Sequence, residues 1–330
     1  MTNKFNLVLF SAILFSAFLS SCSKDDDNTP TPVVLNLPSE LAIPIDNFHP
    51  EDVKIVDNVV YVSGARNGEI VSFDLTQENP TAQTFAPAVS GYTQAWGMES
   101  DGNVLVSLLN NVDFTGIPPG PSRLVEYDLS TGNKSNEWDL PDGTSAHTVS
   151  IVDGKYYVTD VFQPKIIEVD PATSTVTDNW FTSPQLTAGF LATTYDGTGG
   201  LYASVDSKFW YIPISNGQAG TIQEVNVSGS DEATSETDGS VFVSSENALY
   251  YTVNDAFNPA NAGAVYKLEF SNTTTASVSM VSSGFDDPSG VWYLENDGTK
   301  YIFVCESQFG SLFGLNDLEA PFKVKIETIN

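Results

Sequence analysis

The 330-residue chain is short of cations: 13 lysines and arginines stand against 42 aspartates and glutamates, for a formal net charge of −29. Such a surplus repels phosphate backbones at long range, so nucleic acid is excluded as a partner. Histidine is limited to His49 and His147, and no zinc-spaced His/Cys set, phosphate loop or nucleophile elbow is present. Cysteine is limited to Cys22 and Cys305. Cys22 falls at the end of an N-terminal leader, which leaves Cys305 with no disulfide partner; in the apolar run Tyr301–Cys305 it reads as a small buried hydrophobe. The one long apolar run, Phe5–Leu19, is too short to span a bilayer. No segment carries 3.6-residue periodicity, which excludes a helical solenoid.

What the chain does have is a repeated unit, cleanest at Ser145–Asp170. Three apolar runs, Thr148–Val152, Lys155–Thr159 and Lys165–Val169, are broken by Asp153-Gly154 and by a loop through Gln163-Pro164, and a fourth run follows at Thr175–Trp180. This is the grammar of a four-stranded antiparallel meander. It recurs at Glu51–Leu75, Gln94–Leu129, Ala188–Ile214, Gly239–Phe270 and Gly290–Asn316. Aligning second strands on Tyr61, Leu105, Tyr157, Tyr202, Tyr251 and Phe303 gives spacings of 44, 52, 45, 49 and 52 residues. The spacing predicts an all-β, six-bladed β-propeller with four antiparallel strands per blade, because one such sheet cannot bury both faces until neighbours pack on it. Asp74, Asp128 and Asp170 close the third strands of the first three blades and read as turn formers. Val33–Leu37 and Phe322–Thr328 both have the pattern of an outer strand for blade six, where pairing would latch the ring.

Residues 1–21, with Lys4 before the apolar run, read as a secretory signal. Leu19-Ser20-Ser21-Cys22 resembles a bacterial lipobox, which implies cleavage before Cys22, acylation of that cysteine and anchoring in the outer membrane. Ser23-Lys24-Asp25-Asp26-Asp27 resembles the export signal of Bacteroidetes surface lipoproteins, which implies exposure at the cell surface. An acidic and proline-rich tether, 22–36, then precedes a propeller over 37–330, acting as a monomer.

Several polar residues should meet at one end of the central channel. Crossovers between blades deliver Glu51, Gln94, Trp96, His147, Asp238 and Asp287 to the inner strands, while second strands end at Asn110, Asp160, Asp206, Asp255 and Glu306. Insertions at Asn110–Ser122 and Ala256–Gly263 open on the same face and mark it as the binding face. The carboxylates could ring a hard cation or serve as turn formers. His147 could act as general base, metal ligand or structural residue. Tyr92 and Trp96 sit at a crossover and could stack on a sugar or another planar ligand, whereas Phe162, Phe190 and Trp210 read first as packing.

Pro50-Glu51-Asp52-Val53, Tyr156-Tyr157-Val158-Thr159-Asp160 and the Asp170 turn resemble the regucalcin/gluconolactonase superfamily of six-bladed propellers. The resemblance implies a bound calcium ion and lactone hydrolysis by a general-base carboxylate. It carries Glu51 over as a metal ligand and matches Asp238 to the catalytic carboxylate; Ala146-His147-Thr148 stands where the family has its metal-binding Asn. The expected site is therefore His147 and Asp238 for catalysis, Tyr92, Gln94, Trp96, Asn110, His147, Asp160 and Asp255 for ligand, Glu51, Asp206, Asp238 and Glu306 for metal, and Cys22 for lipid. Two functions follow from this set: a surface lipoprotein that binds a small polar ligand or a protein at its channel mouth, or a calcium-dependent lactonase or hydrolase. A purely structural envelope protein is the third class.

Overall fold

The computed structural model describes residues 34–112, 120–229, 237–254, 263–313, 318 and 320–330. Cys22, Asp255 and most of both insertions lie outside the described residues. Residues 35–330 form one unit of six antiparallel sheets. In blade three, Ala146–Val152, Lys155–Asp160, Lys165–Asp170 and Thr175–Thr182 pair in chain order, and blades one and two repeat that order. Blade four has Gln218–Ala219 and Gln223–Glu224 in place of a full outer strand. Blade five gains a fifth strand, Asn226–Ser228, parallel to Thr275–Ser277. Each inner strand contacts the inner strands of the two adjoining blades, so the ring closes.

Both chain ends build blade six. Phe322–Ile329 is its third strand and Glu40–Ile43 its outermost, paired through Leu41↔Val324 and Ile43↔Phe322. The latch thus falls at Glu40–Ile43 rather than at Val33–Leu37. Leu41 and Ile43 alternate with exposed neighbours and are fully buried, whereas residues 34–38 make no strand.

Among the described residues the core falls into six large packets, one at each joint between blades, and a small seventh one around Trp96. Tyr61, Ile70 and Tyr92 of blade one and its crossover meet Leu105, Val125 and Tyr127 of blade two, and the last joint sets Val62 and Phe73 against Phe303, Cys305 and Val324. Because strand side chains alternate, neighbours on a second strand enter different packets: Tyr157 faces blade four while Tyr156 and Val158 face blade two. The same rule shows a slip in the repeat alignment. Leu105 and Tyr251 face backward, toward blades one and four, while Tyr61, Tyr157, Tyr202 and Phe303 face forward. The equivalents in blades two and five are Val106 and Tyr250, since one residue of shift exchanges the faces.

Candidate site at the channel mouth

Five inner strands begin with the same irregularity. In blade one, Pro50 pairs with Gly64 and Val53 with Val62, so Glu51 and Asp52 together oppose the single residue Ser63. The same bulge places Trp96-Gly97 opposite Leu108, His147-Thr148 opposite Thr159, Asp238-Gly239 opposite Thr252 and Ser289-Gly290 opposite Cys305. A bulge leaves one backbone amide unpaired. In blades one, three and five a hydroxyl from the opposing strand accepts it: Ser63 Oγ from Asp52 N at 3.1 Å, Thr159 Oγ1 from Thr148 N at 3.0 Å, and Thr252 Oγ1 from Gly239 N at 2.9 Å. These three blades are the ones that deliver Glu51, His147 and Asp238.

The bulges also let the inner strands approach closely. A Cβ on Gly97 would stand 2.4 Å from His147 O, one on Gly239 2.5 Å from Ser289 O, and one on Gly290 2.7 Å from Glu51 O. Only glycine fits there, and backbone narrows the axis below the mouth. A polar bond spans each joint. Asp52 accepts from Met98 N (2.8 Å), Asn110 donates to Ala146 O (2.7 Å), Thr148 meets Thr193, and Ser204 meets Thr237. Thr252 donates to Ser289 O (2.5 Å), and Ser289 donates to Pro50 O (2.9 Å).

On this frame Glu51, His147 and Asp238 converge. His147 Nε2 lies 3.6 Å from Glu51 Oε1 and 3.5 Å from Asp238 Oδ1, and one potential ligand atom from each residue lies within 4.8 Å of the others. The His147 side chain is 9% exposed, that of Glu51 13% and that of Asp238 23%. Burial and the neighbouring Glu51 carboxylate push the Asp238 pKa up, to about 7, against the opposing pull of His147. Burial by itself would lower the His147 pKa, but the adjacent Glu51 and Asp238 carboxylates raise it. Asn254, at the end of a second strand, also favours ionised Asp238 and keeps a buried Oδ1 without a partner among the described residues. Beside the cluster a cavity of about 20 Å³ is lined by Glu51, Asp52, Lys54, His147, Thr193 and Asp238 among others, which is room for one water or one ion. Trp96 stands edge-on to His147 with ring centroids 5.5 Å apart and packs with Ala65, Val112 and Val161 into a buried apolar cluster, so its ring is not offered to a ligand as an open stacking face.

The other expected site residues are engaged elsewhere. Gln94 clamps the Val112 backbone with both amide atoms (3.0 and 2.8 Å), and Asn110 is held by Ala146 and Ser122. Tyr92 packs between blades one and two under the Arg123 guanidinium, 5.2 Å from its ring centroid. Asp160 is fully buried, with Oδ1 accepting Phe162 N and Gln163 N; burial raises its pKa, and Oδ2 has no partner among the described residues. Asp206 lies in an exposed turn and accepts from Thr187. Glu306 is buried, accepts Asp286 N and pairs with Lys325 at 2.6 Å and Lys323 at 3.4 Å. Asp287 accepts Gly310 N at 2.7 Å in blade six. Of the four expected metal ligands, Glu51 and Asp238 are thus brought together, and Asp206 and Glu306 are not with them. Asp255 lies outside the described residues. Asp74, Asp128 and Asp170 each accept the backbone amide two residues on, as turn formers do.

Calcium fits this set poorly. It takes about six to eight oxygen ligands at about 2.3–2.6 Å, whereas the cluster offers two carboxylates and one imidazole nitrogen. Two carboxylates and an imidazole in a largely buried mouth can hold a transition ion, share protons or orient a polar ligand.

Fold and site together define a six-bladed β-propeller with a polar cluster at one channel mouth. No protein-family model matches the sequence, and no curated protein matches it. Among solved structures, the chain is similar to the major allergen Mala s 1 of Malassezia sympodialis, with a TM-score of 0.69 and 15% identity over 89% of this chain and 96% of that one. It is also similar to an auxiliary nutrient binding protein of Bacteroides ovatus, with a TM-score of 0.60 and 14% identity over 90% of this chain and 76% of that one. A protein of Bacteroides thetaiotaomicron with the same description has a TM-score of 0.58 and 11% identity at the same coverage. At these identities the likeness is one of fold.

Proposed function

We propose that this protein is a lipoprotein, acylated at Cys22 and held at the surface of the outer membrane, whose propeller binds a small polar ligand at its channel mouth. The convergence of Glu51, His147 and Asp238 from alternate blades, against the edge of the buried Trp96 ring, carries this reading. Binding pockets of this kind combine a few convergent polar groups with apolar surface. The direction of the chain supports it. Glu40–Ile43 runs toward the mouth, and Asn36 N donates to Leu75 O at the opposite end of blade one, so residue 36 lies at the end away from the site. The two Bacteroides proteins of similar fold, described as nutrient binding, favour the same class.

The test has two parts. Cys22→Ser should leave the protein soluble or unprocessed; if that variant still partitions with membranes after cleavage, the anchor reading fails. Calorimetric titration with a panel of neutral sugars, sugar acids and amino acids should give at least one saturable ligand whose binding Trp96→Ala removes. A panel in which every ligand bound equally well to that variant would place binding away from the mouth.

One observation favours a second reading, hydrolysis of a lactone or ester: Asp238, with its raised pKa beside His147, is poised as a general base near neutral pH. Proton release from a lactone panel, lost in Asp238→Asn, would support it.

A further inference from the structure

Two of the three spacings in the mouth cluster are those of a coordination shell, His147 to each carboxylate, and the third lies within 4.8 Å. A charge-assisted hydrogen bond between imidazole and carboxylate closes to about 2.7–2.9 Å. Here Nε2 of His147 stands between two carboxylates at 3.6 and 3.5 Å, longer than such a bond on both sides. Donors held about 2.0–2.2 Å from a tetrahedral ion are separated from one another by about 3.3–3.6 Å. The backbone keeps this spacing open. Each residue occupies the same bulge position on its own blade, each bulge amide is capped by a hydroxyl, and Gly97 and Gly290 admit the backbone of His147 and Glu51 at close range. The cluster also includes an imidazole that is nine-tenths buried and faces both carboxylates. The adjoining cavity of about 20 Å³ has room for an ion or a water.

We propose that Glu51, His147 and Asp238 bind one divalent transition ion of the zinc and cobalt class, with the remaining coordination open to an oxygen atom of a ligand. An imidazole with two carboxylates is a donor set for such ions, while calcium requires oxygen throughout and in greater number. Charge agrees: a dication on two carboxylates and a neutral imidazole leaves the buried site without net charge, and the −29 surface concentrates cations around it. The ion class is independent of which organic ligand binds, so the test uses metals alone.

The purified, untagged full chain is stripped with chelator and titrated with zinc, cobalt and calcium at constant ionic strength. One equivalent of zinc should bind, cobalt should develop the intense visible absorption of a low-coordinate ion, and calcium should give no saturable signal. His147→Ala should lower zinc affinity by roughly tenfold or more, since even outer partners of metal ligands cost about 10–100-fold. A readout on the unaltered chain guards against a misfolded variant. With only two histidines present, the Nε2 nitrogen resonance of His147 should move on zinc addition and that of His49 should not. Calcium binding as tightly as zinc, an unmoved His147 resonance at saturation, full zinc affinity in His147→Ala, or no binding of zinc or cobalt would each overturn the proposal. Because no organic ligand is used, any of these results leaves the ligand-binding reading to its own titration.

Discussion

Replacing Thr252 with valine removes one hydroxyl and no volume, and it tests whether the capped bulges hold the ring and the site together. Thr252 is fully buried; its Oγ1 accepts Gly239 N at 2.9 Å and donates to Ser289 O at 2.5 Å, so a single oxygen both caps the Asp238-Gly239 bulge and ties blade five to blade six. Valine leaves an amide and a carbonyl unsatisfied near the axis, at about 1–3 kcal/mol for each buried group. The Gly239 amide is only partly buried, so the lower half of that range applies to it and the expected loss is about 2–5 kcal/mol. For a domain of this size each kcal/mol moves the melting temperature by about 2–4 °C. The variant should therefore melt roughly 4–20 °C below the parent, with a matching fall in urea midpoint at unchanged slope. Thr159→Val, which uncaps the Thr148 amide but spans no joint through its own hydroxyl, should cost less. A Thr252→Val protein within about 0.5 kcal/mol of the parent would refute the reasoning, since that is the scale of surface substitutions.

Gly290→Val should destabilise by at least about 1–3 kcal/mol and weaken mouth binding, because its Cβ would meet the backbone of Glu51 and Asp52 at 2.7 Å; thermal melting with ligand titration checks both. Glu246 yields a pH prediction. Burial alone would raise its pKa, but hydrogen bonds from Lys267, Lys300, Tyr250 and Tyr293 bring it down to about 2 from an ordinary 4.5. A carboxyl depressed on folding stabilises above its unfolded pKa and loses that contribution as pH falls through its folded one. Urea unfolding should accordingly show the parent more stable than Glu246→Gln at pH 7, with the gap narrowing between about pH 4.5 and 2. A gap constant through that window would contradict the assignment.

The blades were legible because strand alternation, turn residues and repeat spacing are local properties written along the chain. Tyr156 and Tyr157 show both the reach and the limit of that reading: two adjacent aromatics imply a strand buried on both faces, yet only the joints show which neighbour each ring enters. For the same reason Leu105 and Tyr251 aligned well by spacing and faced the wrong way. The site was legible in part. Glu51, His147 and Asp238 were all candidates, but so were Asp206 and Glu306, which end second strands at positions that are not equivalent. Relative to the residue opposite the bulge, Glu306 follows Cys305 by one and Asp160 follows Thr159 by one, while in the blade without a bulge Asp206 follows Ser204 by two. A one-residue offset on a pleated strand turns a side chain to the other face. For Asp238 a separating signal is present in the pair after the crossover, where, as in Trp96-Gly97 and Ser289-Gly290, a glycine marks a bulge that aims its neighbour at the axis; Glu51-Asp52 and His147-Thr148 form the same bulge without a glycine to mark it.

By itself, then, the chain determined its all-β class, its blade number and its acidic surface, since alternation, turn chemistry and charge need no long-range contact to be expressed. Closure decided the rest. Only when blade six is completed by Glu40–Ile43 and the inner strands meet do residues 51, 147 and 238 come within 4.8 Å of one another. That distance depends on bulge register and on glycines that admit backbone to backbone, and both are properties of the closed ring.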